Sequence, residues 1–246
     1  MAQGMRHSHN RKKYLQRLYV SSVFMSVGNM VFNAVIQAIN VDHFSRVDNN
    51  IFATLFACAF LICLIEYSKE RPEKSRRLWA FYLIWQVAGL ILPDLFHLPP
   101  SVSPIMYAVF GNIFMAEGGF FYVIMGPLFY YTLKDRKKLV FYYTLLSAIP
   151  FLNAATGFLG KISCLRIFGS PFTVQWLTGI HVWGTWAVQP WNWPYIFGEN
   201  FQWMVIGALP IILLYNGEKG NGRKYFYYLF YPIHIYLLAF IGVMMG

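Results

Sequence analysis

The chain has 246 residues, of which 57% are hydrophobic, 20% aromatic and only 12% charged, and its net charge is +10. Soluble domains carry about 25% charged residues, so the composition argues against a water-soluble globule, and disorder is excluded because it requires low hydrophobicity. An integral membrane protein remains. The basic residues form short clusters between apolar runs rather than one face of an amphipathic element, so no nucleic-acid partner is expected.

Seven apolar stretches approach the roughly 20 residues that a helix needs to cross the hydrocarbon core. They predict one all-α domain over 1–246, a polytopic integral membrane helix bundle whose surroundings are the lipid bilayer. The predicted spans are 18–39, 51–67, 78–95, 118–133, 139–155, 201–215 and 225–244.

The distribution of charge between these spans predicts the orientation of the bundle. Alternate loops contain 17 of the 20 lysines and arginines, and the other loops contain only Arg46, Lys161 and Arg166. Basic loops stay on the cytoplasmic side of a membrane. The protein is therefore expected in the cell membrane, with a cytoplasmic N-terminus and an extracytoplasmic C-terminus.

Polar side chains follow one face of the first predicted span. Asn29 and Asn33 are four residues apart, and Gln37 continues the stripe. Such residues either hold helices together or line a wet cavity, and we favour the first interpretation.

The region before the fourth predicted span fits the bundle poorly. Residues 105–117 are apolar but short, which is compatible with a re-entrant or interfacial helix or with an extension of the next helix. Glu117 precedes Gly118 and Gly119, which permit a close approach of the backbone. Its carboxylate is a candidate base, or alternatively a solvated helix end.

Residues 156–200 form the largest stretch that is not a span, and they contain five tryptophans. Tryptophan favours the headgroup level of a membrane, so this segment is expected to be an external cap. Two alternatives are an acceptor groove and a further span. Within the segment, His181, Trp183 and Trp186 are candidate substrate-binding residues.

A glycine-rich turn precedes the last predicted span. Cations and glycine N–H groups together suit a phosphate-bearing ligand, although an ordinary positive-inside loop has the same composition. The candidate residues are Asn216, Lys219, Arg223 and Lys224.

An ionisable residue inside a span is costly and marks a functional site by default. His234 lies ten residues after Lys224, which is about 15 Å along a helix and close to the middle of the bilayer. Pro232 removes a backbone donor beside it. His234 is thus the first candidate for a catalytic residue, the alternative being a neutral histidine bound to a neighbouring helix. No Cys or His spacing typical of metal sites is present, so no metal is expected.

Four runs of sequence resemble the TraX family. The run ALPIILLYNGEKG-x-GRKYFYYLFYPIH at 208–234 resembles the C-terminal signature of that family. Residues 4–18 resemble its basic stretch after the second helix, 48–66 resemble its Asn-led fourth helix, and 116–138 resemble its later Gly-Phe helix. The family's first two helices, which include an Asp-His pair, precede the part of the family that this sequence resembles, so either the start of the sequence is displaced or the protein lacks a helix that could hold a catalytic acid or base.

The family includes the protein that N-acetylates F-type pilin. The resemblance therefore implies an integral membrane acetyltransferase that uses acetyl-CoA as co-substrate. The acetyl group would pass from the cytoplasmic face to an amine or hydroxyl of an extracytoplasmic or membrane-embedded acceptor, which is a peptide, a glycan or a small molecule. His234 would take a proton from the acceptor or carry the acetyl group. The alternatives are a non-catalytic scaffold or degenerate relative, which the missing Asp-His helix favours, and a small-molecule transporter.

Overall fold

The structure is a computed structural model, and it describes residues 2–39, 46–156, 193–199, 201–216, 218 and 225–245. Regular structure in these residues is entirely helical. The α-helices are α1 (Ala2–His7), α2 (Arg11–Ala38), α3 (Ile51–Glu70), α4 (Pro72–Leu95), α5 (Ser103–Phe110), α6 (Gly119–Thr132), α7 (Arg136–Thr156), α8 (Leu209–Leu214) and α9 (Phe226–Met245). A π-helical turn at Tyr195–Glu199 and a 3₁₀ segment at Phe201–Ala208 precede α8.

Five helices are long and apolar enough to cross a membrane, namely α2, α3, α4, α7 and α9. They confirm the helical membrane class. Two predicted spans form shorter helices, because 118–133 contains the 14-residue α6 and 201–215 divides between the 3₁₀ segment and α8. The predicted total of seven crossings is therefore not confirmed.

The helix ends follow local capping chemistry rather than hydropathy. Helix α2 begins at Arg11, seven residues before the predicted span, because the Asn10 side chain accepts a hydrogen bond from the N–H of Lys13 at 2.9 Å. Helix α4 has Pro72 in its first turn, where the missing N–H of proline has no consequence. Among the alternatives for 105–117, the structure has a separate short helix, α5, followed by non-helical residues.

Contacts divide the chain into two compact units. Unit A comprises Met1–Arg6 and Gly118–Glu218, and unit B comprises His7–Glu117 and Lys219–Gly246. Unit A is held by apolar packing. Phe121, Met125 and Tyr143 form a buried cluster against residues of the 3₁₀ segment and α8, and the Tyr143 hydroxyl donates to the carbonyl of Val205 at 2.6 Å.

Unit B is built on the antiparallel pair α2 and α3. Arg11 of α2 forms an ion pair with Glu66 near the end of α3. At the start of α3, the Asn50 amide donates to the carbonyl of Ser22 and to the hydroxyl of Ser26, each at 2.8 Å. The same Asn50 side chain caps α3 by accepting from Ala53 N–H. One buried asparagine therefore both starts α3 and binds it to α2.

Helix α9 packs on this pair through tyrosines. Tyr228 stacks on Phe52 of α3 with ring centroids 5.6 Å apart. Tyr231 meets the same phenylalanine ring edge to face, with centroids 5.5 Å apart. Tyr236 stacks on Phe32 of α2 at 5.0 Å. No residue of α9 is fully buried, so most of its apolar surface faces away from the described part of unit B.

Candidate functional site

Residues 46–50 of unit B are non-helical and lie against α2. The Asn33 side chain pairs with both backbone groups of Val47, donating to its carbonyl at 3.0 Å and accepting from its N–H at 2.9 Å. Asn29 donates to the carbonyl of Asn49 at 3.0 Å. Backbone polar groups in an apolar environment must be paired. The predicted stripe on α2 therefore binds backbone, and Asn29 also joins α2 to another helix by accepting from the Tyr236 hydroxyl of α9 at 3.0 Å. Gln37, the third member of the stripe, is exposed.

Residues 111–117 form a second non-helical segment, which side-chain amides also hold. Buried Gln86 of α4 accepts from the N–H of Ile113 at 2.8 Å. Asn112 donates to the main-chain carbonyl of Gln86 at 2.9 Å, and its side-chain oxygen accepts from the N–H groups of Phe114 and Met115. This pairing fixes the backbone that leads to Glu117.

Glu117 receives three hydrogen bonds from residues of unit B. One carboxylate oxygen accepts from the Asn49 amide at 3.0 Å, and the other accepts from the Tyr231 hydroxyl at 2.8 Å. The Thr54 hydroxyl donates to its main-chain carbonyl at 2.8 Å. The half-buried carboxylate is thus oriented by both of its oxygens, and it is not a freely solvated helix end.

The start of α3 contributes to the same site. The Ile51 N–H, in the first turn of α3, lies 3.3 Å from the Tyr231 hydroxyl. That hydroxyl therefore accepts from α3 while it donates to Glu117. Helix N-termini favour nearby negative charge, and the first turn of α3 is connected to the Glu117 carboxylate through the Tyr231 hydroxyl.

His234 is half-buried on α9. Its ring stacks on Phe230 with centroids 5.0 Å apart, and it meets the Tyr231 ring edge to face at 5.3 Å. Its Nδ1 lies 3.0 Å from the carbonyl of Phe230. Since a carbonyl only accepts, Nδ1 carries the proton in the neutral ring and Nε2 carries the lone pair. Nε2 has no hydrogen-bond partner among the residues that the structure describes.

Tyr231 connects the two predicted catalytic residues. Its hydroxyl binds Glu117 and its ring contacts His234, so the structure brings both residues into contact with one side chain. Neither Tyr231 nor Asn49 was predicted from the sequence as a site residue. The available signals were the three-residue spacing of Tyr231 and His234, which places both on one helix face, and the position of Asn49 directly before a helix cap.

Asn216 is the one predicted phosphate-binding residue that the structure describes. Its amide donates to the Glu218 carboxylate at 3.2 Å, and its side-chain oxygen accepts from the N–H of Glu218 at 3.0 Å. Asparagine side chains commonly bind backbone two residues on in this way. The other candidates for ligand binding lie outside the described residues: Lys219, Arg223, Lys224, His181, Trp183 and Trp186.

Within the described part of the chain, no group of three or more His, Cys, Asp or Glu side chains is placed to hold a metal ion. Comparisons with family models, with curated proteins and with solved structures find no match to this chain. The function of the site must therefore be inferred from its own geometry and from the resemblance of four sequence runs to the TraX family.

Proposed function

We propose that this protein is an integral membrane acetyltransferase of the TraX type. It moves an acetyl group from cytoplasmic acetyl-CoA to an amine or hydroxyl of an extracytoplasmic or membrane-embedded acceptor. The observation that carries the proposal is the lone pair of His234 Nε2, which has no hydrogen-bond partner among the described residues, next to the hydrogen-bonded pair Tyr231 and Glu117. The four resembling sequence runs support the same reaction.

In the proposed reaction, His234 acts as a general base. Nε2 removes the proton from the acceptor as the acceptor nitrogen or oxygen bonds to the thioester carbon. The C–S bond then breaks, and the thiolate of CoA takes the proton from the imidazolium. The products are the acetylated acceptor and free CoA. The Phe230 carbonyl, which accepts from Nδ1, keeps the ring in the tautomer that this step requires.

Glu117 acts through Tyr231 in this proposal. The carboxylate fixes the phenol hydroxyl at 2.8 Å, and the phenol ring limits the positions that the His234 ring can adopt. Holding a base within reach of its proton accounts for much of the benefit of an active site. Glu117 and Tyr231 are therefore positioning residues, and His234 is the residue that contacts the substrates.

The proposed topology has seven crossings, a cytoplasmic N-terminus and an extracytoplasmic C-terminus. The distribution of lysine and arginine between the spans supports it. In this arrangement Asn216, Lys219, Arg223 and Lys224 bind the phosphates of acetyl-CoA at the inner face. His181, Trp183 and Trp186 bind the acceptor at the outer face.

The proposal is tested with radiolabelled acetyl-CoA and the purified full-length protein, reconstituted with a membrane extract of the cells that express it. We expect transfer of label to extract material with release of free CoA. His234→Ala should reduce the rate by about 100-fold or more. His9→Ala removes a histidine that precedes α2 and should leave the rate unchanged. A wild-type rate in folded His234→Ala would contradict the role of His234, and the absence of wild-type transfer would contradict the function.

One observation favours a second candidate, a non-catalytic membrane scaffold. Both carboxylate oxygens of Glu117 already have donors within the protein, as expected of a structural contact between segment 111–117 and α9. A scaffold would not be stabilised by CoA. The acetyltransferase should show a higher Tm with millimolar CoA and no such rise with inorganic phosphate.

A further inference from the structure

An open groove of about 810 Å³ follows α7 in unit A. Its floor is formed by apolar side chains, including Val140, Phe141, Ala148 and, from α8, Leu213. Arg136 and Lys137, the first two residues of α7, lie at one end. The volume falls within the range of ligand pockets in proteins, about 300–1,000 Å³.

The groove has a polarity along its length. The distance along the helix from Arg136 to Ala148 is about 18 Å, at 1.5 Å per residue. Only the first turn carries charge, and the rest of the lining is apolar apart from one threonine. Phe141 is 62% exposed, so no described residue covers this part of the floor.

The charged end of the groove is positive. Asp135 precedes α7, but its carboxylate pairs with Lys138, whose Nζ lies 3.3 Å away. In the described part of the chain, Arg136 and Lys137 have no carboxylate partner within 4.0 Å. Arginine binds phosphate oxygens through two parallel N–H groups, and lysine adds a point charge. An occupant with one anionic phosphate and one apolar tail matches this arrangement.

We propose that the groove binds one anionic glycerophospholipid, with its phosphate between Arg136 and Lys137 and one acyl chain along Phe141 towards Ala148. The charge complementarity selects this occupant over a neutral lipid, whose headgroup brings no net charge to the two cations. The charge complementarity also selects the anionic lipid over a wholly apolar peptide, which would leave both cations without an anion. The inference does not depend on the proposed acetyltransferase activity.

The test is native mass spectrometry of the full-length protein titrated with phosphatidylglycerol or phosphatidylcholine of the same chains. We expect tighter binding of phosphatidylglycerol, and about a tenfold or greater loss of that affinity in Arg136→Gln/Lys137→Gln. The matched control, Lys74→Gln/Arg76→Gln, removes the same charge from exposed residues of α4 and should retain the wild-type affinity. Ala148→Trp fills the apolar end and should weaken binding of both lipids without changing any charge.

Three results would overturn the lipid site. One is equal binding of the two lipids by the wild type, and another is an equal loss of affinity in the two double variants. The third is full displacement of the lipid by inorganic phosphate, which would show a site for a free anion. If a variant does not fold, the Tm of the wild type in phosphatidylcholine nanodiscs tests the lipid site instead. This Tm should rise when phosphatidylglycerol is included, and a constant Tm would contradict the site.

Discussion

Two non-helical segments of unit B are stabilised in the same way but end differently. Residues 46–50 are paired by Asn29 and Asn33, and residues 111–117 are paired by Gln86 and Asn112. The first segment ends at Asn50, a neutral helix cap, whereas the second ends at Glu117, a carboxylate that binds Tyr231.

In the proposed acetyltransferase, this difference separates contacts that serve only stability from a contact that also positions the catalytic base. A buried neutral amide with all partners satisfied contributes only to folding, because it has no proton to exchange at neutral pH. In the proposed reaction His234 moves the proton, and the half-buried Glu117 carboxylate positions His234 through Tyr231. Variants of the amide contacts should therefore reduce stability, and variants of the Glu117 and Tyr231 contact should reduce activity more than stability.

Asn50→Ala should have the largest effect on stability. The substitution removes the α3 cap and leaves the carbonyl of Ser22 and the hydroxyl of Ser26 without their amide donor. We expect a loss of about 2–4 kcal/mol in the free energy of unfolding, measured by denaturant titration in mixed micelles. Asn10→Ala is the control, because it removes an exposed cap with one hydrogen bond. An equal loss in both variants would show that the buried contacts of Asn50 contribute nothing.

Gln86→Leu should reduce stability by about 2 kcal/mol, because the buried N–H of Ile113 then lacks an acceptor. Gln37→Leu changes an exposed glutamine of α2 and should have little effect in the same titration. If the two leucine variants unfold at the same denaturant concentration, the amide of Gln86 does not hold segment 111–117.

Tyr231→Phe and Tyr236→Phe each remove one hydroxyl from α9. Tyr236 donates to the Asn29 side chain at 3.0 Å, so each variant should lose about 1 kcal/mol of stability. We expect only Tyr231→Phe to slow acetyl transfer, by about tenfold. Tyr227, which is 67% exposed on the same helix, provides a further control as Tyr227→Phe. Equal rates of acetyl transfer for Tyr231→Phe and Tyr236→Phe would show that the Tyr231 hydroxyl has no special role in the reaction.

The smallest effect concerns Asp135, outside the membrane-spanning helices. Its hydrogen bond from the Lys138 N–H lowers the pKa of this carboxyl in the folded state, and the Lys138 ammonium adds to the shift. Because the folded pKa lies below the unfolded value of about 3.9, the ionised carboxylate stabilises the fold above that pH, and the contribution is lost as the pH falls through the folded value. Asp135→Asn should therefore lower Tm at pH 7, and the difference from the wild type should shrink as the pH falls below about 3.9. A difference in Tm that does not shrink as the pH is lowered would contradict this assignment.

The helical membrane fold was predictable because hydropathy and helix length are local properties of a sequence. The polar stripe of Asn29 and Asn33 was also predictable from its four-residue spacing. Its partners were not, because both amides bind the backbone of segment 46–50 and Asn29 also accepts from the Tyr236 hydroxyl of α9. Which backbone approaches a helix face depends on long-range packing, and no pattern within α2 encodes it.

The candidate site was predictable only in part. His234 and Glu117 stand out because ionisable residues are rare in apolar segments. Tyr231 does not stand out, since it is one of 17 tyrosines in the chain. Its role follows from the packing of α9 against the start of α3, which brings residues 117 and 231 together across more than 100 positions of sequence.

The most direct test of the account is a double-mutant cycle of Glu117→Ala and Tyr231→Phe on the rate of acetyl transfer, measured per folded protein. If Glu117 acts through the Tyr231 hydroxyl, the double variant should be no slower than the slower single variant. If the two rate reductions multiply instead, the residues act independently, and the connection from Glu117 through Tyr231 to His234 is contradicted.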